Sequence, residues 1–354
     1  MISRRALIAA ILAAGGARAQ GFAGLGAPSD GYAMPDPARP IVFPQDHAPH
    51  PFYRIEWWYL TAPLSLADGT PLGIQWTLFR SALAPIPEPG EAIPPQAWMG
   101  HAAVTTAETH RVAERLARGG IGQAGATGVP FAAWIDEWSM QGDPAHALQL
   151  TAAGQDFRFD LDLTAQGPLI RHGEGGFSRK SAAGQASYYY SQPFLQVSGT
   201  VDLGDGVQQV RGQGWLDREW SSQPLADDQE GWDWFSLFLD DGQRLMVFRL
   251  RGAREYRSGT LIGPDGAVTL SHDEIGMTPV RHEFGVPVVW RLELPGKAAA
   301  WTVTALNPAA FMPTRVPYWE GPVSVEGPMG GRGYLEMTGY RQAVGPRPRG
   351  TAPG

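Results

Sequence analysis

Residues 215–220 read WLDREW, two acids and a base held between two indoles. Side chains alternate along an extended strand, so Gln213, Trp215, Asp217 and Glu219 share one face, and Arg218 and Trp220 share the other. Same-face Cα atoms two residues apart lie about 6.6 Å from each other, which lets Asp217 and Glu219 look into one cavity. Beside tryptophan and stripped of water, a carboxyl has its charged form penalised and keeps its proton to higher pH. An acid so placed can donate a proton near neutrality. The same residues also have a structural use, with Arg218 paired to Asp217 or another acid to tie strands together.

Two further clusters repeat the theme. In EWWYL (56–60), Glu56 and Trp58 point one way, Trp57 and Tyr59 the other. Glu56 is read either as the mouth of an aromatic pocket, where it would orient water, or as an arginine partner at a barrel end. In GWDWF (231–235), Trp232 and Trp234 share a face and Asp233 takes the opposite one. His101, in WMGHAAVT, is a candidate proton shuttle or a core histidine. The stretch 175–193 carries Ser178, Lys180 and three consecutive tyrosines, of which Tyr188 and Tyr190 share a face; Lys180 reads as a solvated turn lysine, with a site role as the alternative. The candidate catalytic groups are thus Asp217, Glu219, Glu56 and His101. The candidate pocket walls are Trp57, Trp58, Tyr59, Tyr188, Tyr190, Trp215, Arg218, Trp220, Trp232, Asp233 and Trp234.

Other chemistries find no footing. His47 and His50 fall in HAPH, where Pro49 prevents helical geometry and no third ligand follows, so no metal is expected. The nucleophile-elbow, zinc-protease, P-loop and dinucleotide fingerprints are missing, and no cofactor is expected. With no cysteine, thiolate catalysis and Cys-ligated zinc are excluded. Twenty-eight basic and 35 acidic residues give a net charge of −7, which does not favour nucleic acid or an anionic membrane as partner.

The elements that must hold these residues read as strands. At roughly 150 residues per domain, 354 residues favour two domains. Alternating runs break at Asp68-Gly69, Ala153-Gly154, Asp241-Gly242 and Asp265-Gly266, a hairpin grammar that predicts an antiparallel barrel or sandwich. Residues 107–120 (AETHRVAERLARGG) are the best helix candidate, though also compatible with a loop. A boundary is expected near residue 225, dividing an amino-terminal unit (40–225) from a carboxy-terminal one (226–345), with a disordered tail over 346–354. Residues 1–19 combine Arg4 and Arg5, an apolar run from Ala6 to Ala14 and Ala17-Arg18-Ala19, the pattern of a cleaved export signal. Its apolar run is well short of the ~20 residues that span a bilayer, so the expectation is a periplasmic or secreted protein with no transmembrane segment.

FPQDHAPHPFYRIEWWYL, GHAAVT, GGFSRKS, ASYYYSQPFLQVSG and GWLDREWSSQPL, in this order, resemble the AttH-like and carotenoid 1,2-hydratase (hydroxyneurosporene synthase) family over about residues 43–345. The resemblance implies an all-β chain of two lipocalin-like antiparallel β-barrel domains. It also implies cofactor-free water addition to an isoprenoid double bond, in which an acid protonates the alkene and water captures the cation. The hydratases' Asp-x-x-Trp element matches Asp217 and Trp220, with Arg218 where they carry histidine. Their later-strand acid beside a tyrosine has no match in RLMVFRLR, the region read as corresponding. Exported relatives are called secreted hydrolases or accompany lipoprotein transport systems, which makes a lipid carrier with a transport-system partner the alternative to an enzyme. A glycan hydrolase using paired carboxylates is the third reading.

Overall fold

The computed structural model describes residues 29–86, 95–223 and 228–340. The export signal, the boundary near residue 225 and the tail expected from the sequence lie outside them. Among the described residues helix is confined to three short 3-10 turns, Gln45–His47, His272–Glu274 and Pro295–Lys297; the remaining regular structure is strand.

The first sheet has thirteen strands. A meander of β1 (Ile55–Leu66), β2 (Pro71–Ala82), β3 (Gln96–Thr105) and β4 (His110–Arg118) forms one side. Five short strands follow, β5 (Ala124–Gly128), β6 (Phe131–Ile135), β7 (Trp138–Asp143), β8 (Ala147–Ala153) and β9 (Arg158–Ala165). Two brief ones, β10 (Ile170–Arg171) and β11 (Phe177–Arg179), precede the long pair β12 (Ala186–Asp202) and β13 (Val207–Ser221). β13 returns to pair with β1, so the spatial order runs β4-β3-β2-β1-β13-β12-β9-β8-β7-β6-β5.

The second sheet has ten strands. They are β14 (Gln229–Leu239), β15 (Arg244–Gly252), β16 (Tyr256–Gly263), β17 (Gly266–Leu270), β18 (Gly276–Glu283), β19 (Val286–Leu294), β20 (Ala299–Ala305), β21 (Phe311–Met312), β22 (Tyr318–Glu326) and β23 (Gly331–Met337). Here β23 returns to pair with β14. Both sheets are antiparallel and curl into barrel-like shapes, each around its own apolar core. Trp58, Leu60, Ile74 and Trp76 meet Met140, Leu150 and Leu161 in the first. Phe235, Leu237 and Val247 meet Val288, Trp290 and Trp319 in the second. Hairpins turn where the sequence places Asp-Gly; Gly242, at φ +89°, takes a left-handed conformation that a Cβ would strain.

The helix expected over 107–120 is instead β4, paired to β3 along its whole length. Thr106, just before it, closes a tight hairpin: its Oγ1 accepts from the Thr109 backbone N–H at 2.9 Å. Arg111 and Arg115 then reach from β4 to the carbonyls of Asp156, Leu203 and Ala153 on the far side of the curl. Ladder bonds and this bridging override a helical propensity that carries little energy per residue.

One end of the first sheet is closed by buried ions. Glu56 is fully buried and accepts from Arg218 Nη2 at 2.6 Å, Arg80 Nε at 2.9 Å and the His50 backbone N–H at 2.9 Å. His50 Nδ1 adds a contact at 2.7 Å. Burial penalises the Glu56 carboxylate, but the charges of Arg218, His50 and Arg80 outweigh that and hold it well below the usual carboxylate range. Arg218 lies 4.0 Å above the Trp58 ring, and Trp220 stacks on His50 at 3.9 Å. Removing one member of such a set leaves uncompensated buried charge. Glu56→Ala should therefore lower the unfolding free energy by ~3–5 kcal/mol, read from urea denaturation.

Candidate functional site

The two sheets meet along a seam of rings. Tyr59, Tyr189 and Trp215 from the first pack on Trp234, Phe238, Met246 and Phe248 from the second. At this seam lies a pocket of about 870 Å³, counting the space open to solvent. The outward faces of β1 and β13 form its floor: Tyr59 stands opposite Asp217, and Trp57 opposite Glu219. β14 and β15 close over them with Trp232, Trp234, Phe248 and Leu250, while β2 adds Thr77 and Phe79. Lys180, Ser187 and Glu336 add to the polar lining, together with Gln185, Ser221, Gln223 and Gln229.

Asp217 is held by three donors. Ser191 Oγ donates to Oδ1 through a very short bond, Trp215 Nε1 donates to Oδ1 at 2.6 Å, and Tyr189 OH donates to Oδ2 at 2.8 Å. Burial nevertheless wins over these bonds and raises the carboxyl to about 7, with the nearby Glu219 charge adding to the shift. Behind Ser191 stands His172, whose Nε2 is 2.7 Å from the serine Oγ and whose Nδ1 is 2.8 Å from Thr260 Oγ1 across the seam. Burial, then the Lys180 charge, depress this imidazole to about 3. It is thus neutral at physiological pH and supplies a hydrogen bond rather than a charge. Glu219 has different company: Lys180 Nζ at 2.9 Å and a short bond from Ser187 Oγ. Glu219 thus has a cationic partner, which Asp217 lacks.

A second acid pair rises from the other sheet. Glu320 and Glu336 stand opposite one another on β22 and β23. Tyr59 OH donates to Glu320 Oε1, and Gln75 Nε2 to Glu320 Oε2 at 2.6 Å. Glu336 faces the pocket and accepts from Trp232 Nε1 at 2.6 Å. Burial, then the proximity of Glu336, push Glu320 well above the usual carboxylate range; burial raises Glu336 to about 7. Two facing carboxyls with no cation between them cannot both ionise cheaply, so the pair retains at least one proton near neutrality.

Of the residues singled out from sequence, Asp217, Glu219, Trp57, Tyr59, Trp232 and Trp234 line the pocket. Trp215 lies beneath it as a donor to Asp217. Glu56, Trp58, Arg218 and Trp220 point the opposite way, into the ionic closure, so Glu56 does not reach a pocket mouth. Tyr188 and Tyr190 also turn inward, around Tyr53 and Trp220, and Tyr189 between them faces the seam. Asp233 is buried within the second sheet, 3.3 Å from Arg251 Nε and 3.6 Å from Arg249 Nε. His101 lies outside the pocket, its Nδ1 3.0 Å from Tyr318 OH and its Nε2 3.4 Å from Glu114. Lys180 is a pocket residue, not a solvated turn lysine. His47 and His50 serve as ring and hydrogen-bond partners, and no group of acids and histidines suited to a metal occurs among the described residues.

Sequence reasoning missed Glu320, Glu336 and His172. The signal for the two glutamates was a repeated tyrosine-x-glutamate, Tyr318 with Glu320 and Tyr334 with Glu336. His172 left no usable signal, because its partners are remote in sequence.

Fold and site together define a β protein of two curled sheets with an acid-lined aromatic pocket at their seam. The chain belongs to the AttH-like family, which it matches over residues 34–340. It is similar to a Nitrosomonas europaea protein described as an AttH, with 34% identity, a TM-score of 0.79, and coverage of 88% of this chain and 100% of that one. Kievitone hydratase from Nectria haematococca shares the fold at 14% identity and a TM-score of 0.64, covering 88% of this chain and 97% of the hydratase. CghA does so at 12% identity and a TM-score of 0.52, covering 89% and 98%. No curated protein matches the sequence. No helix among the described residues is long and apolar enough to cross a membrane.

The raised acids have a measurable consequence. Asp217 and Glu336 keep protons to about 7 when folded, whereas unfolded carboxyls titrate near ~4. Their stabilising contribution is complete below the unfolded value and is lost as pH rises through the folded one. Buried neutral histidines such as His172 act in the opposite sense, but they are common to wild type and variants. Asp217→Asn and Glu336→Gln should therefore gain stability relative to wild type between about pH 5 and about pH 8, seen as a rising difference in Tm.

Proposed function

We propose that the pocket binds an apolar isoprenoid or lipid and adds water across a carbon–carbon double bond by acid catalysis. The observation that carries this reading is Asp217, an acid without a cationic partner that faces an indole-walled pocket while three donors stand ready for its conjugate base. The Asp217 proton passes to one alkene carbon, the π electrons form the new C–H bond, and the neighbouring carbon becomes a tertiary cation. The faces of Trp57, Trp232 and Trp234 favour that charge where water is scarce. Water attacks the cation and gives a proton to the Glu219 carboxylate. Return of that proton to Asp217, its neighbour on the same face, resets the site. Glu336 is a second acid on the opposite wall. No cofactor takes part.

The resemblance to hydratases supports the reaction class, and the apolar walls support the ligand class. The amino-terminal pattern supports export to the periplasm or beyond, where a transport-system partner would be found. A carrier without chemistry is the second reading, favoured by the pocket's opening to solvent.

Geraniol, farnesol and squalene, offered in heavy-oxygen water, test both. The wild type should yield a product one labelled water heavier. Asp217→Asn should lose that turnover by about 10²–10⁴-fold, as expected for loss of a general acid, while geraniol still quenches tryptophan fluorescence. Undiminished turnover in Asp217→Asn sinks the acid assignment. Binding without product selects the carrier, and failure of every probe to bind removes the apolar ligand.

A further inference from the structure

Acidic groups outnumber basic ones in the pocket. Asp217, Glu219 and Glu336 line it, with Glu320 directly behind, against one basic residue among the lining side chains. That residue, Lys180, is already committed to Glu219 at 2.9 Å. The lysine is informative for another reason. Its ammonium rests 4.5 Å from the centre of the Tyr189 ring and 5.1 Å from that of Phe248, on an aromatic wall and against a carboxylate. The protein thus already stabilises one alkylammonium group here. The rest of the lining repeats these ingredients with no second basic side chain: the indoles of Trp57, Trp232 and Trp234 and the acids Asp217 and Glu336. Thr77 adds an independent sign: its hydroxyl, 1% exposed in the pocket wall, meets no hydrogen-bond partner among the described residues.

We infer that this is a cation site, built to take an apolar molecule carrying a protonated amine in preference to a neutral or anionic molecule of the same skeleton. An anionic ligand would face like charge from Glu219 and drive the other acids further toward neutrality. A neutral alcohol gains one hydrogen bond and leaves the carboxyls protonated. An ammonium lets Asp217 or Glu336 ionise against it, giving charge-assisted bonds about twice as strong as neutral ones, and its remaining N–H reaches Thr77 Oγ1. Its positive charge lies on ring faces that attract it. The proton balance is simple: R–NH₃⁺ enters, one carboxyl becomes carboxylate, and one proton leaves to solvent. The groups that set this titration are Glu219 and Lys180 on the first sheet, Tyr59 and Tyr189 on its neighbouring strands, and Glu320 on the second. The inference shares its pocket with the hydration reading but requires no turnover.

Octylammonium, octan-1-ol and octanoate, titrated calorimetrically into the full chain, decide it. Octylammonium should bind at least tenfold more tightly than either analogue at about pH 8. Its affinity should weaken about tenfold per unit as pH falls below about 7, with up to one proton released per ligand, read from two buffers of different ionisation heat. Glu336→Gln or Asp217→Asn should reduce the pH slope, and Thr77→Val should weaken octylammonium without changing the slope. Equal binding of octan-1-ol, a pH-independent affinity, or no octylammonium binding overturns the inference. The wild-type comparison stands even where a variant fails to fold, and a negative result here leaves the labelled-water experiment unaffected.

Discussion

Asp217 and Arg218 are adjacent in sequence and cannot neutralise one another. The strand that carries them sends successive side chains to opposite faces, and β1 opposite it does the same. Arg218 therefore spends its charge on Glu56 inside the first sheet, at 2.6 Å, while Asp217 is left on the outer face without a counterion. The state of Asp217 follows from this separation. On the inner face of the strand pair Glu56 is tied by arginines and held ionised; the outer face, covered by the second sheet, keeps an acid near neutrality. Hydrogen bonds alone do not undo the cost of burial, which is why three donors leave Asp217 at about 7.

The pocket belongs to neither sheet. Its floor is β1 and β13, its roof β14 and β15, and the acid behind it, Glu320, is held by Tyr59 and Gln75 from the opposite sheet. These cross-seam bonds are donated by neutral groups to a carboxyl that resists ionisation. Docking of the sheets and protonation of the acids are thus parts of one equilibrium, as linkage requires when a group's affinity for protons differs between two arrangements.

Strand alternation made much of the site legible. The grouping of Asp217 with Glu219, of Trp57 with Tyr59 and of Trp232 with Trp234 is plain from spacing two, and these six residues meet in the pocket. Periodicity could not tell which face of each strand would be covered by a partner sheet and which would turn into a core. Glu56, Trp58, Tyr188, Tyr190, Trp220 and Asp233 look as chemical as their neighbours until that choice is made. Glu320, Glu336 and Lys180 come from segments whose proximity to WLDREW depends on the docking of two sheets and on the β11–β12 hairpin. His172 touches Ser191 and Thr260, residues 19 and 88 positions away, and local pattern carries no trace of such contacts. Misreading β4 as a helix has a similar origin, since its partner strand and the carbonyls its arginines reach are distant in the chain.

The sidedness of β1 and β13 also proofreads their alignment. A slip of one position would exchange the two faces of the moved strand. Glu56 would leave its two arginines for the apolar seam, and Arg80 and Arg218 would confront each other without an anion between them. A misregistered pairing thus carries an uncompensated-charge penalty on top of its lost packing, which marks the rung at which Glu56 must meet its arginines.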